Sequence, residues 1–280
     1  CLLFLGTINL TKMKNWIIIF LSFLAVSCQT VLDVEVPSIP EKPVLFASLN
    51  SSGQYHKLQL TKSRPLVNNS PSDKFEAITN AKVELIGNGN TYSFYYFEDE
   101  YHNSLPFDLV AGETYVLQAT LIDGSVLSAQ QKMPKAPENF QMTMDSTKSD
   151  WGMQFNLDVN WNDDENAINY YRIEAYSEVD NNIRKVFIPQ EYFDDSKAKN
   201  GIFQQKTEIF AFVFDDNGPR EDYNLFLVIS EITEDHYNYG IALENYNPNN
   251  PFSEPKPLPK NVEGGLGMFT LSGSRIIWIR

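Results

Sequence analysis

The cysteine at position 28 has the clearest chemical signature in this sequence, because it directly follows a short apolar segment. That segment runs from Trp16 to Val26 after Lys14, and secretory signals carry an apolar core of about 7–15 residues, whereas a membrane-spanning helix needs about 20. The order Leu24-Ala25-Val26-Ser27-Cys28 is typical of a bacterial lipoprotein signal, in which a lipid alkylates the thiol and cleavage leaves the cysteine first. An ordinary signal peptide, or a buried strand that contains a cysteine, is the alternative interpretation.

From this pattern we interpret residues 1–12 as an upstream mis-start, Met13 as the true start and residues 13–27 as the signal peptide. Several acyl chains on Cys28 would anchor the mature protein firmly, since each buried methylene contributes roughly 0.8 kcal/mol. Residues 28–43 are then a tether, because their three prolines favour extended backbone.

The overall composition excludes several kinds of site. Asp and Glu outnumber Lys and Arg by 36 to 22, and an acidic surface repels phosphate backbones, so we expect no nucleic-acid partner. The chain has two Cys and three His, which excludes a disulfide scaffold and a Cys/His-rich zinc site. His56, His102 and His236 have no second histidine at metal-ligand spacing, and there is no Gly-x-Ser-x-Gly nucleophile elbow. We therefore expect no catalytic residues and no enzyme activity.

Acidic loops are the remaining candidates for a cation site or for hydrolysis. There are four: Glu98-Asp99-Glu100, Asp163-Asp164-Glu165, Asp194-Asp195 and Asp215-Asp216-Asn217-Gly218. Ca²⁺ prefers such oxygen ligands, but none of these segments fits the twelve-residue EF-hand loop, and solvated turns are the alternative. We expect no cofactor apart from the lipid on Cys28, and the sequence leaves open whether an acidic loop binds calcium. The run Gly264–Gly267 lacks the Lys-Ser/Thr ending of a phosphate loop, which favours close backbone approach over ligand binding.

Exposed aromatic residues are the best candidates for contact with a ligand or partner. Alternation along 92–97 sends Tyr95 and Phe97 to the face opposite Tyr92, so one of the two faces is free to be a contact surface. We select Tyr95, Phe97, Tyr101 and Phe252 as possible contact residues, with core or hairpin packing as the alternative.

The elements that position these residues are mostly short strands. Residues 44–134 contain six or seven strands separated by turn residues, including Asp123-Gly124, and predict a small sandwich. Residues 135–150 are predicted to be a linker, and residues 151–280 a second β-rich domain with one helix near 232–246. In this domain Tyr170 to Val179 and Arg275 to Arg280 are predicted strands, and helical spacing puts Tyr239, Leu243 and Tyr246 on one face of the helix. The predicted fold is therefore mainly β, with two sandwich-like (immunoglobulin- or transthyretin-like) units and a helix in the C-terminal unit.

Two C-terminal segments carry a family resemblance. They are Asn250-Pro251-Phe252-Ser253-Glu254-Pro255 and Asn261-Val262-Glu263-Gly264-Gly265-Leu266-Gly267-Met268-Phe269, and Leu58–Arg64, Asn80–Leu85, Ala111–Tyr115 and Asn169–Arg172 add to them. With these segments the mature chain resembles the Bacteroidota lipoproteins catalogued as domain of unknown function 4249. The resemblance implies an outer-membrane lipoprotein, often encoded beside a TonB-dependent receptor, and it carries over no catalytic residues.

The expected function is that of a lipid-anchored outer-membrane protein that serves a TonB-dependent receptor as a non-catalytic accessory or binding subunit in nutrient capture or uptake. A free-standing surface module that binds glycans or proteins is the alternative, and a hydrolase that uses the acidic loops ranks below both. The residues after Cys28 lack a dense acidic run, so the sequence leaves open whether the protein faces the cell surface or the periplasm.

Overall fold

Alternating apolar residues build the strands that dominate this protein. The structure is a computed structural model, and it describes residues 40–64, 74–149, 152–211, 214–215, 218–219, 222–246 and 257–279. The strands in the first half are β1 (Pro43–Asn50), β2 (Lys57–Lys62), β3 (Lys82–Gly87), β4 (Asn90–Phe97), β5 (Glu100–Asn103), β6 (Thr114–Thr120), β7 (Val126–Lys132) and β8 (Gln141–Ser149). Those in the second half are β9 (Gly152–Asn162), β10 (Tyr170–Val179), β11 (Asn182–Val186), β12 (Tyr192–Asp194), β13 (Ile202–Ala211), β14 (Phe214–Asp215), β15 (Gly218–Pro219), β16 (Asn224–Ile232) and β17 (Leu266–Trp278).

Within the described ranges, the helical elements are the α-helix α1 (Glu234–Glu244) and a 3-10 turn at Asp195–Lys197. The mainly β fold with one α-helix in the C-terminal half confirms the predicted class. Thr233 caps α1, and its side chain accepts a hydrogen bond from the backbone N–H of His236. No helix in the described part of the chain is long and apolar enough to span a bilayer.

One large sheet connects the two halves of the chain. Its strand order is β11-β10-β16-β17-β1-β2-β5-β4-β3-β6-β7, and β12 pairs with β10 beside this path. Strands β13, β9 and β8 form a separate three-stranded sheet, and β14 pairs with β15. The first and last long strands, β1 and β17, lie parallel, with Val44 opposite Leu266, whereas β17 pairs antiparallel with β16 on its other side.

Two hydrophobic cores lie on one face of this sheet, which we call the inner face. The first core contains Leu45, Leu85 and Leu117 from strands far apart in the strand order, so the sheet curls around it. The second core lies between the large sheet and the three-stranded sheet, where Trp161 of β9 stacks on Phe203 of β13 at 4.8 Å between ring centroids. Each core is therefore enclosed by packed strands, as in a β-sandwich.

The segment predicted to be a linker is partly a strand. Residues Gln141–Ser149 form β8, which pairs with β9 over its whole length. Most of its described side chains are exposed and polar, so it lacks the apolar alternation that marks a half-buried strand. The final strand also begins earlier than expected, at Leu266 instead of Arg275, and supplies residues to both cores. Residues 40–280 consequently cluster as one unit in which the two β units share β17.

The glycine-rich run before and within β17 has a structural role. Gly264 and Gly267 have positive φ angles of 75° and 117°, which side-chain-bearing residues rarely adopt. A Cβ on Gly267 would overlap the carbonyl oxygen of Leu45, and one on Gly265 would lie 2.6 Å from the carbonyl oxygen of Pro43. Close approach of β17 to β1 therefore requires these glycines, as the structural interpretation of the run expected.

Candidate binding groove

The helix α1 lies across one end of the outer face of the large sheet, the face that points away from the two cores. Tyr239 approaches Phe46 of β1 with ring centroids 5.9 Å apart, and Tyr237 approaches Tyr170 of β10 at 4.8 Å. A Cβ on Gly240 would overlap the ring of Tyr192, so the glycine lets the helix pack closely against β12.

The buried face of α1 differs from the expected one. The sequence spacing favoured a packed face with Tyr239, Leu243 and Tyr246, but Leu243 and Tyr246 are 45% and 56% exposed. The helix instead buries His236 and Gly240. A small residue against a large ring permits closer packing than an apolar stripe, and hydrophobic periodicity does not detect it.

Beside the start of α1, the outer face forms a groove with a volume of about 310 Å³, which we call the sheet groove. Its floor is crossed by three rows of residues in register on β10, β16 and β17: Arg172–Ser230–Ser274, Glu174–Val228–Ile276 and Tyr176–Phe226–Trp278. His236 of α1, Ile183 of β11 and the end of β1 complete its walls, and Trp278 extends the third row beyond the groove. The groove thus has polar, aliphatic and aromatic parts in a fixed order.

Four charged side chains form a closed cluster at one side of the groove. Arg172 Nη2 lies 2.8 Å from Glu174 Oε1 and 3.1 Å from Glu191 Oε2. Lys185 Nζ lies 2.6 Å from Glu191 and 3.2 Å from Glu174. Burial by itself would lower the pKa of Arg172, but the two carboxylates and the ring of Tyr192, which the guanidinium faces at 5.1 Å, more than offset it and the pKa is raised. The cluster contains two cations and two carboxylates, so its charges cancel.

Two buried nitrogen atoms at the groove have no hydrogen-bond partner among the described residues. They are Nε of Arg172 and Nδ1 of His236, a residue that is only 7% exposed. Burial, and then the nearby guanidinium, lower the pKa of His236 to about 3, so the imidazole is neutral at physiological pH. Buried polar atoms are usually paired, and such exceptions call for a functional explanation.

Serine hydroxyls continue the polar row across β16 and β17. The Oγ atoms of Ser230 and Ser274 are 2.8 Å apart, and those of Ser274 and Ser272 are 3.5 Å apart. Ser272 donates to the carbonyl oxygen of Leu49, and the backbone N–H of Ser274 donates to Ser51 Oγ at 3.0 Å. These bonds hold the hydroxyls in place along the floor and occupy the protons of Ser272 and Ser274, which leaves lone pairs that can accept further hydrogen bonds.

The aromatic row ends in one accessible ring. Tyr176 and Phe226 stack with centroids 5.5 Å apart, and Phe226 lies 4.9 Å from Trp278. Phe226 is buried between its neighbours, whereas Trp278 is 57% exposed. The Tyr176 hydroxyl donates to Glu174 Oε1 at 2.9 Å, and burial, with this carboxylate, raises the pKa of the phenol. Trp278 therefore offers an exposed indole beside an ordered polar floor.

The predicted contact residues have different positions in the structure. Tyr95 and Phe97 are about half exposed on the outer face of β4, and their rings lie 6.2 and 6.0 Å from the ring of His102 on β5. We call Tyr95, Phe97 and His102 the aromatic patch. His102 follows the acidic run Glu98-Asp99-Glu100 but lies in β5, because the turn is confined to Glu98 and Asp99, which have positive φ angles.

The prediction that Tyr101 is a contact residue is wrong, because this residue belongs to the first core and is 1% exposed. Its hydroxyl donates to the carbonyl oxygen of Ile78 at 2.8 Å and accepts from the backbone N–H of Ala81 at 3.1 Å. Alternation along β5 directs it inward while His102 points outward. Phe252 and the lipidation residue Cys28 lie outside the described residues, so both remain predictions.

Two of the acidic loops meet through Asn169. Its backbone N–H donates to Asp195 Oδ2 at 2.8 Å, and its side chain donates to the carbonyl oxygen of Asp164 at 3.1 Å. Nearby, burial and the carboxylates of Asp163 and Asp164 raise the pKa of Glu231 to about 7. In the described part of the chain, no three His, Cys, Asp or Glu side chains are grouped to hold a metal ion. The fourth acidic loop lies partly outside the described residues.

Sequence reasoning did not identify the sheet groove. The signal that was present is the alternation Ser272, Ser274, Ile276, Trp278, which places two hydroxyls and one large ring on the same face of β17. A last strand predicted to start at Arg275 leaves out the two serines and so separates them from the tryptophan.

Comparison of the sequence with known proteins identifies the family to which this chain belongs. A search of curated protein sequences found no significant match. A family model described as "Domain of unknown function (DUF4249)" matches residues 29–275, which include β1 to β16, the helix and most of β17, but not Ile276 and Trp278 at the end of that strand. The chain therefore belongs to the DUF4249 family.

Proposed function

We propose that this protein binds a ligand in the sheet groove and acts as a non-catalytic, lipid-anchored accessory subunit of a TonB-dependent receptor in the outer membrane. The observation that carries the proposal is the groove itself, a concavity of about 310 Å³ whose floor combines apolar side chains with a few fixed polar groups. Ligand sites commonly combine these properties.

The described side chains suit binding at this position. Val228, Phe226 and Ile276 supply apolar surface, while Arg172 and Glu174 are held at one side by their mutual ion pair. Because the charged groups are already positioned, a ligand would not have to order them, and less conformational entropy is lost on binding.

The membrane and receptor parts of the proposal rest on other features. Lipidation of Cys28 would attach the protein to the membrane, as the sequence pattern predicts. The aromatic patch is a suitable contact surface for a protein partner, since exposed aromatic residues are enriched at interfaces. It lies on β4 and β5, and β1 and β2 separate these strands from β17 in the sheet order. The patch and the groove are therefore separate surfaces on the same sheet.

A free-standing surface binding module is the second candidate. It is favoured by the number of elements that line the groove, which are β1, β10, β11, β16, β17 and α1. Together they supply both apolar surface and hydrogen-bonding groups to a ligand.

Affinity purification separates the two candidates. C-terminally tagged full-length protein would be recovered from detergent-solubilised outer membranes, and the bound proteins identified by mass spectrometry. We expect a stoichiometric TonB-dependent receptor, and we expect its recovery to fall for the Tyr95→Ala/Phe97→Ala variant. Tyr55→Ala is the matched control, because Tyr55 is 79% exposed and lies outside the patch. Recovery of the lipoprotein alone would refute the receptor role and favour the free-standing module.

A further inference from the structure

The charges around the sheet groove are unfavourable for a charged ligand. Arg172 and Lys185 are both in ion pairs with Glu174 and Glu191 at 2.6–3.2 Å. A third carboxylate, that of Glu244, lies close by and accepts a hydrogen bond from the backbone N–H of Glu191; burial, and then the charge of Glu191, raise its pKa despite this bond. An anion would meet these carboxylates without a free cation in the cluster, and a cation would compete with existing partners.

The other polar groups that line the floor are neutral or have an atom without a partner. The hydroxyls of Ser230, Ser272 and Ser274 use their protons in bonds to one another and to Leu49, and each keeps a lone pair that can accept a hydrogen bond from a ligand hydroxyl. His236 is neutral and its Nδ1 lacks a partner within the described structure, as does Nε of Arg172. His236 is more than nine-tenths buried and lines the groove, so its nitrogen is an unsatisfied group at the site itself.

An exposed indole completes this set of groups. Trp278 lies on the same face of β17 as Ser274, four residues away, and at about 3.3 Å per residue the two are roughly 13 Å apart. The apolar face of a sugar ring stacks on an accessible aromatic ring, while its hydroxyls need alternating donors and acceptors. A span of this length suits several linked rings better than a single one.

We infer that the sheet groove binds a neutral oligosaccharide, with one ring on Trp278 and the hydroxyls of the next rings on Ser274, Ser230 and the Arg172–Glu174 pair. This inference rests on the proposed ligand-binding function and adds the class of ligand. An extended peptide would fill a similar length, but its backbone N–H and C=O groups would lie over Val228 and Ile276, which offer no hydrogen bonds, whereas a sugar ring can turn an apolar C–H face toward these side chains.

The test uses full-length protein in a detergent that has no sugar headgroup, so that the detergent does not compete. Fluorescently labelled protein would be applied to a printed array with three classes of probe. The first is neutral oligosaccharides from plants, fungi and bacteria, the second is acidic oligosaccharides that contain uronate, sialic acid or sulfate, and the third is peptides. We expect binding to neutral oligosaccharides. Binding only to acidic glycans, only to peptides, or to no probe would overturn the inference.

Variants connect the binding to the groove. Titration calorimetry with the best neutral oligosaccharide should show affinity about tenfold lower for Trp278→Ala, as expected for the loss of one stacking contact. Ser274→Ala should also weaken binding, whereas Tyr55→Ala should not. Circular dichroism would establish that each variant is folded, and Trp278 is exposed enough for its removal to leave the cores intact. Equal affinity of wild type and both groove variants would place the glycan elsewhere and overturn the inference.

The outcome is distinguishable from that of the receptor experiment. Neutral glycan binding without a co-purified receptor would support the ligand class and refute the accessory role. Peptide binding that is lost in Trp278→Ala would overturn the glycan inference while supporting a ligand-binding groove.

Discussion

Replacing Glu231 by glutamine should make the protein more stable at pH 8, by an amount that disappears as the pH is lowered. Glu231 lies on β16 opposite Tyr171 and Gly273, and burial with the charges of Asp163 and Asp164 raises its pKa from 4.5 to about 7. A carboxyl group with a raised folded-state pKa is most favourable when protonated. It therefore lowers the stability of the folded state as the pH rises from about 4.5 through 7.

The size of the effect follows from this shift. A pKa difference of about 2.5 corresponds to about 3 kcal/mol. Glu231 lowers the free energy of unfolding by this amount at pH 8 but not near pH 4.5. Glutamine has nearly the same shape and does not ionise. His236 has the opposite pH dependence, because its lowered pKa reduces stability as the pH falls below 6.5, but it is present in both proteins and cancels in the difference.

Urea unfolding monitored by tryptophan fluorescence at pH 5, 6, 7 and 8 would measure both free energies of unfolding. The advantage of Glu231→Gln should increase at each step toward pH 8. Glu113→Gln, at an exposed position, is the control for a general charge effect. Parallel pH curves for wild type and Glu231→Gln, or a less stable variant at pH 8, would refute the reasoning.

Three further predictions concern the packing of the sheet. Gly267→Ala should cost about 3 kcal/mol or more, because its φ of 117° and its contact with Leu45 both exclude a Cβ, and a urea midpoint unchanged from wild type would contradict this. Tyr101→Phe should lower the free energy of unfolding by about 1–3 kcal/mol, because two hydrogen bonds of the buried hydroxyl are lost, whereas Tyr95→Phe should leave the melting temperature unchanged. Equal melting temperatures of the two variants would show that the Tyr101 hydroxyl does not contribute to stability. Asn261→Ala removes the two hydrogen bonds from this side chain to the backbone of Phe269 near the start of β17, and it should lower the free energy of unfolding by about 2–4 kcal/mol in a urea titration. A smaller decrease would mean that the glycines alone position the strand.

The sequence was sufficient to predict elements that have a clear local pattern of apolar and polar residues or a characteristic turn. Strand β10 begins and ends at the predicted residues, Tyr170 and Val179, and α1 lies inside the predicted range 232–246. The Asp123-Gly124 turn also lies between two paired strands, β6 and β7, as expected. Each of these elements is determined by local pattern and turn chemistry.

The candidate site was not predictable in the same way. Only pairing brings Arg172, Ser230 and Ser274 into one row, and they are separated by tens of residues along the chain. The position of α1 depends on the contact of Gly240 with Tyr192, which periodicity does not reveal. The inward direction of Tyr101 depends on the start of β5, a four-residue strand too short to show a pattern.

The parallel pairing of β1 with β17 also constrains how the protein folds. Val44 and Leu266 are neighbours in space but are 222 positions apart in the chain, and both strands occupy the middle of the large sheet. Contacts of such high sequence separation slow folding, because a long loop must close before they form. The pair of β1 and β17 can therefore form only after nearly the whole polypeptide has been synthesised. Until β17 is available, the edge of β1 that will pair with it stays open, while β2 to β7 can already pair among themselves.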